Sequence, residues 1–298
     1  MREYEVGRQL RERYNEFLGD LYYPEIVDAR SSDLDRTKMS LELVLAGLFP
    51  PTGFQTWNPK LPAWQPIPCH YLPINQDMEL VGFGCPSYKE ELNRVIASEE
   101  VKAEFEKYRH IIDYLAENTG QNYTSFIDTV ILHLSLTAQA EFGLKLPKWT
   151  DAVYPIITEE LTIKGYLTGA STDLLKRLGA GYLAKKIIQD TQEKINEEPS
   201  KHSKKVYLYS GHEQTVAYLL SFLGIYEPPH IPAYGSHIIL EIHEKDGEYG
   251  VKVLYQDDSP RLHNYITLPG CEEFCPLDKF MEMHKGLLPA DTSECGYE

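Results

Sequence analysis

The stretch KKVYLYSGHEQTVAYLLSFLG, residues 204–224, changes from a strand-like to a helical pattern of apolar residues, and the interpretation of the fold depends on this change. Its first half is a short apolar run typical of a strand, and it stops abruptly at Ser210-Gly211. After this turn, apolar residues recur at helical spacing. The stretch therefore predicts a strand followed at once by a helix. His212 and Glu213 come at the carboxyl end of that strand, where open α/β sheets place their ligands.

Two side chains at this turn have types suited to chemistry. The imidazole of His212 can donate a hydrogen bond to a phosphate group, and a carboxylic acid such as Glu213, held in a pocket, can protonate a leaving alkoxide. The alternative is an ordinary helix start at which the helix dipole favours a carboxylate. The local pattern leaves both interpretations open.

A second segment, DARSSDLDRTKMS at residues 28–40, carries the other candidate. A strand delivers Arg30, and Ser32 with Asp35 has the spacing of a capping box that opens a helix. A bidentate guanidinium beside a helix amino terminus suits an oxyanion. The local pattern by itself favours an alternative in which Arg30 and Arg36 form ion pairs within the segment. The candidate partners are Asp28, Asp33 and Asp35.

The rest of the chain surrounds these two segments with helical and strand-like sequence. Apolar spacing predicts an amphipathic helix near residues 6–17 and mainly helical structure over residues 87–192. Asp246-Gly247 predicts the turn of a β-hairpin, and the polar segment 193–204 predicts an exposed linker. We therefore expect an α/β fold with a mixed central sheet flanked by helices and a helical cap insertion. The expected division is a core from residues 1–70 and 193–298 and a mainly helical cap from residues 71–192.

The composition excludes some classes of partner. The 298 residues contain 29 Lys and Arg against 45 Asp and Glu, a formal net charge of −16. This argues against nucleic acid as a partner, because phosphate backbones are bound by a surplus of cations. One locally basic pocket would still suffice for a phosphate monoester. No apolar run reaches the roughly 18 residues that a membrane span needs, and the amino-terminal sequence lacks the apolar segment of a secretory signal.

The cysteines and a sequon point instead to an exported protein. Cys271 and Cys275 share a short loop, where a disulfide is favoured over a zinc site because no second ligand pair is evident nearby. Asn122 opens the triplet Asn-Tyr-Thr, which matches an N-glycosylation acceptor. The chain has no HExxH motif, Walker A loop or GxSxG elbow, so the motifs name no metal and no cofactor.

The two candidate segments, in this order, resemble the second and third signatures of the histidine acid phosphatases. The similarity covers essentially the whole chain and is greatest to the prostatic, lysosomal and insect venom type. The matching stretches are GRQLRERYNEFL, RSSDLDRTKMS, AGLFPP, WQPIPCHYLP, GCPSY, YSGHEQT, PAYGSHIILEIH, LPGCEEFCPLDKF and SEC. The resemblance implies hydrolysis of phosphomonoesters at acid pH through a phosphohistidine, without a metal, in a secreted or lysosomal protein.

The resemblance also implies roles for residues at matching positions. Arg30 would clamp the phosphate, and His212 would hydrogen-bond the phosphoryl group. Glu213 stands where these phosphatases have the aspartate that protonates the leaving group. Glutamate keeps the carboxylic acid and lengthens it by one methylene.

Two disulfides and a dimer contact follow from the same resemblance. The segment from Trp64 to His70 would form a homodimer interface, and Cys69 would remain unpaired. The implied disulfides join Cys85 to Cys295 and Cys271 to Cys275.

One family signature does not occur in this sequence. Arg-His-Gly-x-Arg-x-Pro would supply the nucleophilic histidine and two phosphate-binding arginines on a central strand, and it is found nowhere in the 298 residues. Without the nucleophile there is no covalent intermediate. We therefore expect a sheet that lacks its first central strand, and a chain that is poorly stable and inactive alone. A chain that lacks its amino-terminal part would explain both the missing signature and the missing signal.

Two classes of function are consistent with these observations. The first is an acid phosphatase represented by an amino-terminally incomplete chain. The second is a non-catalytic secreted protein that keeps a phosphate pocket without turnover. An intact signature upstream of Met1 would support the first class, and a true start at Met1 would support the second.

Overall fold

The computed structural model describes residues 2–61, 64–197, 203–257 and 265–297, which form helices packed on two small sheets. The helices are α1 Arg2–Arg13, α2 Asn15–Leu18, α3 Asp35–Leu48, α4 Pro86–Ile96, α5 Glu99–Glu106, α6 Arg109–Thr119, α7 Phe126–Glu141, α8 Ile156–Gly169, α9 Asp173–Lys176, α10 Tyr182–Asn196, α11 Glu213–Phe222 and α12 Leu277–His284. The strands are β1 Val27–Ser32, β2 His70–Leu72, β3 Val206–Ser210, β4 His237–Lys245, β5 Glu248–Gln256 and β6 Cys275–Pro276. The predicted α/β fold with flanking helices is confirmed.

The parallel sheet positions both candidate segments. β1 lies between β2 and β3, so its backbone is hydrogen-bonded on both sides. Arg30 is in register with His70 of β2 and Tyr209 of β3. Because β1 and β3 run in the same direction, their carboxyl ends at Ser32 and Ser210 meet at one edge of the sheet.

The second sheet is antiparallel and has the order β4-β5-β6. β4 and β5 form the predicted hairpin, and both turn residues have positive φ, 55° at Asp246 and 82° at Gly247. Positive φ at both central residues is what a two-residue type I′ turn requires, which explains the Asp-Gly sequence. β6 pairs with β5 through Val251 and Cys275.

Close helix packing holds α1 and α3 against the parallel sheet. A Cβ on Gly7 would lie 2.1 Å from the carbonyl oxygen of Val44, and one on Gly47 would lie 2.3 Å from that of Tyr4. Only glycine allows such an approach of two helix backbones. A separate apolar core buries Leu178 and Leu220 together, at 0% exposure each. The division into core and cap stays a prediction.

Two local predictions were wrong. α3 has Leu34 at its N-cap and no side-chain cap, because the hydroxyl of Ser32 is used elsewhere, by Thr37 and His212. The predicted linker over 193–204 also began too early, since α10 continues to Asn196; residues 198–202 lie outside the described part of the chain. Among the helices that the structure describes, none combines the length and apolarity needed to cross a membrane.

Candidate functional site

His212 lies between the end of β3 and the start of α11. Its backbone N–H donates to the Oγ1 of Thr215 at 3.2 Å, and that hydroxyl donates to the carbonyl of Leu80 at 2.9 Å. These bonds fix the first turn of α11 against the loop that precedes α4. The structure therefore places His212 at the carboxyl edge of the parallel sheet, where the strand-turn-helix pattern located it.

The side chain of His212 is buried, and both of its ring nitrogens have partners. Nε2 lies 3.1 Å from Ser32 Oγ, and Nδ1 lies 3.3 Å from Arg36 Nη2. A guanidinium donates hydrogen bonds and cannot accept them, so Nδ1 is the acceptor and a neutral ring carries its proton on Nε2. Nε2 therefore donates to Ser32 Oγ, which lies 2.9 Å from the Oγ1 of Thr37. Thr37 Oγ1 in turn donates to the carbonyl of Leu34 at 2.9 Å.

The charge of His212 is set by burial and by Arg36. Burial, and then the positive charge of Arg36, lower the pKa of His212 to about 4. The ring is therefore a neutral hydrogen-bond donor at mildly acid pH. A bound phosphate would favour the protonated ring, because negative charge nearby raises the pKa of an imidazole.

Glu213 is the first residue of α11 and is partly exposed. The helix dipole favours a carboxylate at this position. The hydroxyl of Tyr166, a fully buried residue of α8, donates to Glu213 Oε1 in a long contact of 3.4 Å. Burial and the charge of Glu213 raise the pKa of Tyr166 far above its usual range, so the phenol stays a donor.

Arg30 is held by carboxylates outside its own segment. Nη2 donates to Asp77 Oδ1 at 2.7 Å, and Nη1 forms an ion pair with Glu79. The side chain of Arg30 is 12% exposed and that of Asp77 is 0% exposed. Both acidic residues lie in the loop that follows β2.

The alternative interpretation, in which Arg30 forms an ion pair with an acidic residue of its own segment, was wrong, because the partners of Arg30 are Asp77 and Glu79. Asp33 pairs with Lys38 at 2.5 Å, and Asp28 pairs with Lys204 at 2.8 Å. Arg36 contacts His212, as described above. The functional roles of Arg30, His212 and Glu213 stay predictions.

The structure brings His212, Glu213 and Arg36 together at one edge of the sheet. Arg30 lies two residues before the end of the same strand and points to Asp77. Sequence reasoning treated Arg36 and Ser32 only as an ion-pair and a capping residue, although both lie in the segment that it singled out. No local signal marked Asp77 or Tyr166, because each is brought in from a distant part of the chain.

The covalent framework agrees with the resemblance. The structure contains a disulfide between Cys85 and Cys295, 210 residues apart, and a second between Cys271 and Cys275. Cys69 is a free thiol.

The predicted glycosylation site and residues of the predicted dimer segment are exposed to solvent. Asn122 is exposed in the connection between α6 and α7. Trp64 is 44% exposed, and every residue of β2, from His70 to Leu72, is exposed along the edge of the parallel sheet.

Comparison with known proteins identifies the family. Residues 1–256 match the family model of the histidine phosphatase superfamily, branch 2. The chain is 41% identical to the venom acid phosphatase Acph-1 of Apis mellifera, over 98% of this chain and 74% of that protein. It is 34% identical to the prostatic acid phosphatase of Bos taurus, over 98% of this chain and 76% of that protein.

A solved structure shows the same fold. The apo form of the phytase from Hafnia alvei superposes with a TM-score of 0.67 at 14% sequence identity, covering 98% of this chain and 87% of the phytase chain. The resemblance inferred from the sequence is thus confirmed at the level of family and fold. The chain belongs to branch 2 of the histidine phosphatase superfamily.

Proposed function

We propose that the site at the carboxyl edge of the parallel sheet binds the phosphoryl group of small phosphomonoesters, as part of an acid phosphatase. The observation that carries the proposal is the meeting of two strand ends, which brings the imidazole of His212 and the guanidinium of Arg36 to one place with Arg30 close by on β1. The family membership and the similarity to venom and prostatic acid phosphatases support the reaction class.

The proposed roles follow from the chemistry of the groups. The Nε2–H of His212 donates to a phosphoryl oxygen in place of Ser32, and Arg30 binds a second oxygen once it leaves its carboxylate partners. Glu213, at the partly exposed start of α11, protonates the leaving alkoxide as a general acid. These residues bind phosphate and assist the departure of the alcohol, and the reaction they serve needs no metal or cofactor.

The nucleophile is not among these groups. In the proposed mechanism a histidine attacks phosphorus and forms a phosphohistidine, which water then hydrolyses. The family signature that carries this histidine does not occur in the 298 residues. We therefore expect these residues to bind phosphate without turning over a phosphomonoester. Phosphate binding without turnover is also what we expect of the second candidate function, a secreted binding protein with a non-catalytic phosphate pocket.

The test combines turnover with binding. We would measure hydrolysis of p-nitrophenyl phosphate at about pH 5, and binding of inorganic phosphate by calorimetry. The variants are His212→Gln and Arg30→Ala, and the matched control is His133→Gln. His133 is also buried and also has its pKa lowered by burial to about 4, but its partners are Thr137 and Thr158, outside the site.

We expect phosphate binding in the unaltered chain and in the control, loss of binding in both site variants, and no turnover. Binding that survives His212→Gln and Arg30→Ala in folded protein would refute the proposed site. Turnover by the 298 residues would show that another side chain acts as the nucleophile.

We also propose a secreted or lysosomal location with a glycan on Asn122. The two disulfides support an oxidising compartment, and the exposure of Asn122 would leave its amide accessible. A mass shift after enzymatic deglycosylation that disappears in Asn122→Gln would bear this out.

We propose in addition a homodimer through the segment from Trp64 to His70. The exposed edge of β2 and the exposed ring of Trp64 support it, because unpaired edges and exposed aromatic side chains are common in interfaces. Sedimentation of the unaltered chain and of Trp64→Ala tests it: a dimer that the substitution does not weaken would place the interface elsewhere.

A further inference from the structure

We propose that Asp77 is a positioning residue for Arg30: it holds the guanidinium away from His212 at neutral pH and releases it to an incoming anion on acidification. The inference rests on the proposed function, and it concerns the conditions under which the site can take its substrate. It assigns Asp77 a role in the binding step and none in the chemistry.

The contact between the two residues is close and largely shielded from water. The Nη2 of Arg30 donates to Asp77 at 2.7 Å, and Glu79 forms an ion pair with Nη1. Two carboxylates against one guanidinium leave one net negative charge around Arg30. While these carboxylates hold the guanidinium, its positive charge is not available to a phosphate dianion.

The clamp on Arg30 is incomplete. Within the described residues, the Nε of Arg30 and the Oδ2 of Asp77 are buried and have no hydrogen-bond partner. A buried pair with unsatisfied polar atoms is less favourable than a fully bonded one, so Asp77 holds Arg30 less firmly than a fully bonded partner would. A cavity of about 210 Å³, lined in part by Arg30, Leu72 and Met78, leaves free space next to this side chain.

The side chain of Arg30 is near enough to His212 to reach it from the present position of β1. Side chains two residues apart on a strand point to the same face and are separated by about 7 Å. Ser32 is two residues beyond Arg30, and its hydroxyl is 3.1 Å from the Nε2 of His212. A rotamer change therefore carries the guanidinium from the carboxylates towards the imidazole without moving β1.

Protonation of Asp77 would weaken the clamp. Burial raises the pKa of Asp77, and the N–H of Leu80 and the charge of Arg30 only partly oppose this. An acid with a raised pKa is the first to take up a proton as the pH falls, and a neutral Asp77 no longer balances Arg30. His212 stays neutral above its pKa of about 4, so at mildly acid pH it remains a neutral hydrogen-bond donor.

Other charged and titratable groups surround this pair. Glu79 faces Arg30 from the same loop as Asp77, and Tyr297 of the carboxyl-terminal segment lies near Asp77. α10, β3 and the carboxyl-terminal segment contribute the rest, namely Lys185, Lys186, Asp190, Tyr209 and Asp291. Lys186 and Tyr209 are both bound to Asp190, whereas Lys185 donates to the backbone carbonyls of Pro289 and Ala290.

Sulfate is the probe that tests the inference, because it remains a dianion over the whole range and its own titration cannot mimic that of Asp77. Its affinity would be measured by calorimetry between about pH 8 and about pH 5 for the full chain and for Asp77→Asn. Glu79→Gln serves as the second variant, since Glu79 is 24% exposed and tolerates change better. Arg30→Ala reports whether binding depends on the guanidinium.

We expect sulfate to bind the unaltered chain about tenfold more tightly at the lower pH. Asp77→Asn should bind tightly at both pH values, and Glu79→Gln should shift the profile in the same direction. If the unaltered chain and Asp77→Asn bind through Arg30 with the same pH profile, the role of Asp77 is overturned while the proposed phosphate site stands. If neither binds sulfate at any pH, or if Arg30→Ala binds equally well, the proposed site fails as well.

Discussion

Arg30 and His212 are both nearly buried at the same edge of the parallel sheet, but opposite kinds of group hold them. His212 is held by two hydroxyls in series and one guanidinium, and every polar atom of its ring has a partner. Arg30 is held by two carboxylates, and one of its nitrogens has no partner among the described residues.

The difference teaches how one edge of a sheet can hold both a fixed group and a releasable one. The hydroxyl network around His212 is neutral and fully bonded, so it orients the ring at a small cost in desolvation. The charges around Arg30 are expensive to bury, and Asp77 has a counter-ion only while the pair is intact. The histidine end is therefore the rigid part of the site, and the arginine end is the part that can change.

The largest effect on stability is expected when the buried carboxylate of Asp77 loses its ion-pair partner, Arg30. Arg30→Met leaves the fully buried Asp77 without a counter-ion and should lower the free energy of unfolding by about 3–5 kcal/mol at about pH 7. The loss should shrink as the pH falls. The pKa of Asp77 is already raised in the folded chain and would rise further, so the folded state takes up more protons than the unfolded state. Urea unfolding at about pH 7 and about pH 5 measures both effects.

Arg13→Met is the matched control for this change. Glu241, the partner of Arg13, keeps hydrogen bonds from Tyr14, Tyr265 and His243, and we expect a loss of only about 1–2 kcal/mol. Equal losses of stability in Arg30→Met and Arg13→Met, or a loss in Arg30→Met that does not vary with pH, would contradict the idea that the arginine end of the site depends on a buried ion pair.

A smaller effect is expected in the hydroxyl network. Ser32→Ala removes the acceptor of the His212 Nε2–H and should lower the free energy of unfolding by about 1–3 kcal/mol. Ser31→Ala is the control, because Ser31 is equally buried but its hydroxyl donates to a neighbouring carbonyl at 2.8 Å. We expect about 1 kcal/mol there; a larger loss at Ser31 than at Ser32 would count against the network.

The charge of Arg36 can be tested through the titration of His212. Arg36→Met should raise the pKa of His212 above its value of about 4, while burial, the larger cause, keeps it below its usual range. Since the folded-state pKa lies below the unfolded value, His212 reduces stability as the pH falls towards 4, and the variant should lose less over this interval. Two-dimensional ¹H–¹⁵N spectra of the imidazole follow the titration directly.

His133 serves as the internal reference in the same spectra. Its pKa is also about 4, through burial alone, so it should not move in Arg36→Met. A shift of both histidines would point to general loosening of the fold. No shift of His212 would mean that Arg36 does not act on the ring.

The smallest effect on stability is expected at the contact between Tyr166 of α8 and Glu213, the candidate general acid. Tyr166→Phe removes a 3.4 Å hydrogen bond to Glu213 and should lower the free energy of unfolding by at most about 1 kcal/mol. Tyr88→Phe, which loses bonds of 2.7 and 2.8 Å to Gly169 and Tyr218, should cost more, about 1–2 kcal/mol. The reverse order in thermal unfolding would show that Glu213 is held more firmly than the geometry indicates.

Much of the framework could be predicted because its signals are local. A change of hydrophobic period located β3 and α11, and an Asp-Gly pair located the hairpin between β4 and β5. The capping box at Ser32 failed for an instructive reason: the same hydroxyl that could cap α3 makes its contact with His212, 180 residues away. A short motif predicts a local bond only when no distant partner competes for it.

The sequence by itself determined the α/β elements, the resemblance to the family and the Cys271–Cys275 pair, because periodicity, turn chemistry and ordered motifs are written in neighbouring residues; the Cys85–Cys295 pair was implied by the resemblance. The tertiary structure alone decided the partners of the candidate residues. Asp77 and Glu79 reach Arg30 across nearly fifty residues, and Tyr166 reaches Glu213 from a helix of another region. The physical reason is that the energy of a buried polar group depends on which atoms surround it after packing, and that environment has no local signature in the chain.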